Sequence, residues 1–111
     1  MEELPNYIKL KSIINIDVFY DSNSLGFAQL DPIGISHVQD ELRKTILNPV
    51  LITEVNPSKH VYFRGNLNMF KVATVVYHND IWYLESFMPD CSLELAQLKF
   101  KEGKIIYTKA N

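Results

Sequence analysis

Apolar and polar residues alternate with the period of a strand over several short stretches and with the period of a helix over one long one. Ile35, Val38, Leu42 and Ile46 recur at three- and four-residue steps, which predicts an amphipathic helix over 36–47. Ser36, with Gln39 three residues on, has the form of a capping box. Asn48-Pro49 stops the helix, because a proline disfavours helical geometry in the residue before it. Ile14-Asn15-Ile16-Asp17-Val18 alternates cleanly and predicts a strand over 13–20, with a helical turn as the competing reading. Tyr7 to Lys11 alternates as well, and reads as a strand or an entry segment. Residues 21–24 have the composition of a loop, and Gly26 to Leu30 fits no single element. Val50 to Val55 predicts a further strand, followed by a turn at Asn56-Pro57-Ser58-Lys59.

The stretch from His60 to Met88 predicts three consecutive antiparallel strands. Gly65-Asn66-Leu67-Asn68 and Asn79-Asp80 supply the turns, since these residues tolerate positive φ. A two-residue Asn79-Asp80 turn pairs His78 with Ile81, Tyr77 with Trp82, Val75 with Leu84 and Ala73 with Ser86. A four-residue loop over 65–68 pairs Arg64 with Met69, Tyr62 with Lys71 and His60 with Ala73. Opposed residues share a face of the sheet, as do alternate residues along a strand. His60, Tyr62, Arg64, Lys71 and Ser86 are therefore expected on one side, around the small Ala73. A slip of one residue in either hairpin would scatter them.

Beyond Phe87, Met88-Pro89-Asp90 is expected to break the sheet. A short helix over 92–98 follows, capped by Asp90 or Ser92, and then a strand over 104–109 after the turn at Glu102-Gly103. The order of elements predicts a single α+β domain, an antiparallel curved sheet of four to five strands packed against one main helix.

Composition narrows the partners. At 111 residues, 47% apolar and 12% aromatic, the chain has the makings of a folded core. A net charge of −2 argues against avid nonspecific nucleic-acid binding, although the cations concentrate after Asn56 while acids dominate the first half. No apolar run has the length of a membrane span, and the acidic start MEELPN does not read as a signal peptide. The single cysteine, Cys91, cannot make an internal disulfide and fits a reducing compartment, which makes the cytoplasm the expected location. Nothing near Cys91 in sequence would activate it as a nucleophile, and no cysteine–histidine spacing suggests structural zinc.

The runs ISHVQDELRKTILNPVLITEV, VYFRG, KVATVVYHNDIWYLESFMPD and GKIIY, in that order, resemble the small ribonuclease toxin domains of the barnase, EndoU, colicin and RelE superfamily. The resemblance covers about residues 33–108 and lies in spacing and texture. It implies a metal-independent endoribonuclease without a cofactor, acting on RNA, with transfer RNA as one candidate. It also implies a cognate immunity or antitoxin protein, and neither a DNA nor a membrane partner. Carried over by position, His37 matches the helix histidine, Arg64 and Lys71 the basic strand residues, and Ser86 the late hydroxyl. The chain departs from that pattern in its mild acidity and in carrying Ser86 where a threonine is usual.

Such cleavage needs a base for the 2′-hydroxyl, an acid for the leaving oxygen and cations for the phosphorane. Histidine suits the first two tasks and arginine the third. His37 and His60 are thus the acid–base candidates, with Arg64 and Lys71 on the scissile phosphate and Ser86 orienting. Tyr62 and Lys59 are candidate substrate contacts. Each has a plainer reading beside this one: solvated histidines, a charged sheet face, a structural hydroxyl, a packed tyrosine. Tyr77 and Trp82 are expected as a packed cross-strand pair, and Asp40-Glu41 as solvated charge. The rival function is a non-catalytic protein-binding module, such as an immunity protein or a phage-encoded inhibitor. Small size, weak acidity and many aromatics suit that role equally well.

Overall fold

Hairpins built on Asn, Asp and Gly account for most of the architecture. A computed structural model of the chain describes residues 7–21, 32–65 and 69–109. In chain order the elements are β1 (Tyr7–Lys11), β2 (Asp17–Asp21), α1 (Pro32–Leu47), β3 (Leu51–Asn56), β4 (Lys59–Gly65), β5 (Phe70–His78), β6 (Ile81–Cys91), α2 (Leu93–Lys101) and β7 (Lys104–Thr108). The strands form one mixed seven-stranded sheet in the order β1-β2-β6-β5-β4-β3-β7. The fold is α+β as expected, but the sheet is larger than four to five strands and two helices pack on it.

The extra width comes from the two ends of the chain. The strand expected over 13–20 is instead a turn followed by a shorter strand. Asn15 takes φ 67°, Ser12 N–H donates to the Ile16 carbonyl at 2.8 Å, and β1 and β2 pair antiparallel on either side. Ile14 and Ile16 alternate because both lean from this turn onto the core, not because they lie in a strand. The hairpin joins the sheet through β2, parallel to β6, at Val18–Trp82 and Phe19–Tyr83. At the other edge, β7 pairs antiparallel with β3. The segment 22–24 read as loop and the stretch Gly26 to Leu30 lie outside the described residues.

Helix α1 begins four residues before the expected Ser36, at Pro32, whose fixed φ suits a first helical position. Leu42, Thr45 and Ile46 are fully buried on its inner stripe. Leu42 and Ile46 pack with Tyr20, Ile52, Tyr62, Ala73 and Val75 into one core cluster. Burying Leu42 or Ile46 completely stabilises the fold by about 1.5–3 kcal/mol each. The alternate residues Val61, Phe63 and Val72 face the other way and meet Ala96 of α2, with Cys91 beside them. Each face of the central strands β4 and β5 thus has its own helix, which is why Val61-Tyr62-Phe63 and Val72 to Val75 are buried residue after residue instead of on alternate positions.

Ser92 caps α2, its hydroxyl accepting from the Leu95 N–H at 3.2 Å, as one of the two expected caps. Met88-Pro89-Asp90 does not break the sheet; β6 continues to Cys91. Pro89 is tolerated because it falls at a register irregularity between Met88 and Cys91, and β6 pairs with β2 only near its start. No helix among the described residues is long and apolar enough to cross a membrane.

Candidate functional site

Residues 66–68 of the expected loop lie outside the described residues, but Gly65 pairs with Phe70, so the β4–β5 pairing differs from expectation by two residues. Arg64 faces Lys71, Tyr62 faces Ala73 and His60 faces Val75. A two-residue shift preserves parity, so His60, Tyr62, Arg64 and Lys71 still share one face, the α1 side. The β5–β6 register holds through His78–Ile81, Tyr77–Trp82 and Val75–Leu84, then shifts. Glu85 is the extra residue. Ser86 therefore pairs with Thr74, and Phe87 pairs with Ala73 in its place. Ser86 lies on the α2 side, away from the other candidates. Lys59 lies there too, with its ammonium 3.6 Å from the Glu85 carboxylate.

On the α1 side the candidates divide into two groups. His60 and Arg64 are four residues apart along β4, roughly 13 Å at the rise of a strand. Between them the Tyr62 ring is fully buried under α1. Burial pushes the Tyr62 phenol up to about 12, with Ser12 as a weakly opposing neighbour. Its hydroxyl makes no well-formed hydrogen bond. Tyr62 is thus a core residue with no surface to offer a base or a phosphate.

Arg64 and Lys71 stand opposite each other, two like charges that need a counter-charge to coexist. Glu41 of α1 supplies it. Its carboxylate is bonded directly to the Arg64 guanidinium, and Lys71 Nζ lies 3.9 Å from the same oxygen. Arg64 Nε also donates to Thr45 Oγ1 at 3.4 Å, and that hydroxyl donates in turn to the Glu41 carbonyl at 2.8 Å. The side chains are only 14% exposed for Glu41 and 23% for each cation. Glu41 is therefore no solvated charge, contrary to expectation; it is Asp40 that sits in water, paired with Arg43 and Lys44, which hold its carboxyl below the usual range. The sequence carried one cue to Glu41: it flanks the apolar stripe, one residue before Leu42 and four before Thr45. His37 is exposed on α1, one turn before Glu41 on the same flank.

At the other end of β4, His60 is buried, its ring stacked on Trp82 with centroids 4.4 Å apart and planes 25° from parallel. Its Nε2 lies 3.5 Å from the Glu54 carboxylate, and its Nδ1 has no partner. Burial pulls the imidazole below its ordinary value, against the opposing influence of Glu54. Trp82 also meets Tyr77 at 5.3 Å, the expected cross-strand pair. Cys91 is buried, and burial raises its thiol pKa while Lys99 opposes the shift. His78 is exposed near the β5–β6 turn. The described residues contain no group of three or more His, Cys, Asp or Glu arranged to hold a metal ion.

Comparison with known proteins found no match among family models, curated proteins or solved structures. The two groups of polar residues consequently stand on their geometry. One is a charge clamp, Arg64–Glu41–Lys71, fastening α1 to the sheet. The other is a buried imidazole behind an aromatic pair. Neither places an open acid–base pair beside a free cation.

Proposed function

We propose that this chain is a protein-binding module without catalytic chemistry of its own. The observation that carries the reading is the Glu41 clamp: the two cations best suited to a scissile phosphate are spent on a carboxylate within the fold. His60 is enclosed and Ser86 faces the other side, so the acid, base and orienting groups do not converge. Apolar surface favours the same reading. Val50, Leu93 and Phe100 are exposed around a groove of about 150 Å³ floored by Leu51, Phe63 and Ala96. Leu98 of α2 is 61% exposed, and Ile105 and Ile106 of β7 are exposed as well. The apolar rim of the groove is the kind of surface that a protein partner covers. Lys99 and Lys101 beside Phe100, with Lys104 beyond, suit a partner segment that brings apolar anchors and an acidic flank.

The second reading is the metal-independent endoribonuclease acting on RNA, with transfer RNA as one candidate substrate and an immunity or antitoxin protein as partner. One observation favours it: Arg64 and Lys71 share a face, with His37 one helical turn from the carboxylate that holds them. Expression of the chain alone separates the two. Harmless expression with intact RNA supports the binding module. Growth arrest with cleaved RNA, lost in Arg64→Ala and His37→Ala, overturns it in favour of the nuclease.

A further inference from the structure

Strands β2 and β6 are in register only at Val18–Trp82 and Phe19–Tyr83. Before those pairs the two strands lead back to separate turns, one holding Asn15 at φ 67° and the other Asn79 and Asp80 at φ 51° and 66°. No strand among the described residues fills the gap, and a cleft of about 370 Å³ opens there. Phe19, Tyr77 and Trp82 give it aromatic walls, and Asp17 and Asp80 give it two carboxylates. Among the described residues no lysine, arginine or histidine lines it. Neither carboxylate is in an ion pair among the described residues. Asp80 accepts a hydrogen bond from the Tyr77 hydroxyl at 3.0 Å, which fixes both groups at the rim. Lys11 stands opposite Asp17 across β1 and β2, offsetting part of its charge without pairing to it. His60, stacked on Trp82, holds that indole in place.

We infer that this cleft is a binding site for an organic cation, a guanidinium or an ammonium group. The aromatic faces attract a cation through their quadrupoles, and the two carboxylates add charge and hydrogen-bond acceptors. An anion would meet two carboxylates and no cationic side chain among the described lining residues, and a purely apolar group would leave their charge uncompensated. The cation has two sources, a small free amine or guanidine, or a lysine or arginine side chain of another protein. The cleft is separate from both the Glu41 clamp and the apolar groove, so its occupancy is independent of RNA cleavage and of α2 docking.

Trp82 is the single tryptophan of the chain and lines this cleft, so its emission and its indole N–H resonance can be followed without interference from a second indole. Butylguanidinium and tetramethylammonium are titrated in the millimolar range at constant ionic strength, with methyl glucoside as the neutral control. A saturable change with the cations and none with the sugar is expected. Asp80→Asn, which keeps a residue that tolerates positive φ, weakens that binding about five- to tenfold, and Asp17→Asn has a similar effect. Tighter binding of a capped Gly-Arg-Gly peptide than of butylguanidinium identifies a protein side chain as the source; the reverse order identifies a small free cation. The inference is overturned by no saturable change, by a response equal in both Asn variants and the parent, or by an equal response to the sugar.

Discussion

Replacing Glu41 by Gln keeps the shape of the side chain but removes the charge that lets Arg64 and Lys71 face each other. Exposed ion pairs contribute about 0–1 kcal/mol. Removing one partner of a fully buried pair costs about 3–5 kcal/mol. Glu41 at 14% exposure, with both cations at 23%, falls between these cases, and the substitution leaves two like charges opposed across the strands. A loss of about 2 kcal/mol follows, which in a domain of this size lowers Tm by about 8 °C. Arg64→Met retains the packing of the stem and leaves Glu41 with Lys71, so it costs about half as much. The double variant should show a coupling of about 1 kcal/mol. Urea unfolding of the four proteins at low and high salt measures all of these, and Asp40→Asn, on the exposed flank of the same helix, serves as the control with no measurable change. Glu41→Gln within about 0.5 kcal/mol of the parent, or no coupling with Arg64, would refute the clamp. It would also return both cations to the list of free phosphate ligands.

Three further outcomes test other parts of the fold. Because burial holds His60 below its ordinary 6.5, the unfolded chain binds more protons there than the native state, and stability falls as pH drops from 6.5 through the folded pKa. His60→Phe should flatten that slope between about pH 7 and 5.5 in urea midpoints, and an unchanged slope would count against it. Tyr62→Phe removes a buried hydroxyl with no well-formed hydrogen bond, so it should be neutral or stabilise by up to about 1 kcal/mol. With the phenol raised to about 12 from 10.0, the parent also loses stability as pH rises from 10 towards 12, and the Phe variant should not lose that part. Gly65 sits at φ +132°, where an added Cβ would strike the Met69 carbonyl and lie 3.0 Å from Phe70 Cα. Gly65→Ala should cost about 2 kcal/mol or more, and a melting curve matching the parent's would show that the turn relaxes freely.

Local chemistry carried much of this fold. The stripe ending at Ile46 and Asn48-Pro49, the Asn79-Asp80 turn and the Ser92 cap are each decided by a few adjacent residues, and each was legible. Three features were not, because their causes lie far along the chain. Ile14 and Ile16 alternate like a strand only because a turn presses both onto the core. Pro32 and Ser36 both make acceptable helix starts, and the structure takes the proline. The partner of Arg64 and Lys71 sits on a helix more than twenty residues earlier, and no pattern around Glu41 fixes how α1 is rotated against the sheet. The shared face of His60, Tyr62, Arg64 and Lys71 was recovered although the assumed β4–β5 pairing was off by two residues, since a shift of two preserves the face. Convergence failed for simpler reasons: strand rise separates His60 from Arg64, and one inserted residue turns Ser86 away.

That inserted residue permits a sharp test of whether Ser86 can belong with the cations. In the observed ladder Leu84 pairs with Val75, Ser86 with Thr74 and Phe87 with Ala73, leaving Glu85 without a partner of its own. Deleting Glu85 would therefore give a regular ladder in which Leu84, Ser86 and Phe87 keep their partners and faces. The ion pair lost with it joins Lys59 and Glu85 side chains that are 37% and 49% exposed, so it contributes little. The deletion should cost about 1 kcal/mol or less, and Phe87 should stay packed on the α1-side core. A regular ladder with Ser86 opposite Ala73 predicts the contrary. There the deletion would turn Ser86, Phe87 and Met88 over together, expel an aromatic ring from whichever core held it, and cost several kcal/mol on the scale of large core truncations, roughly 3–5 kcal/mol. Urea unfolding of the deletion variant decides between the two, and a severe loss of stability would bring Ser86 back to the face of Arg64 and Lys71.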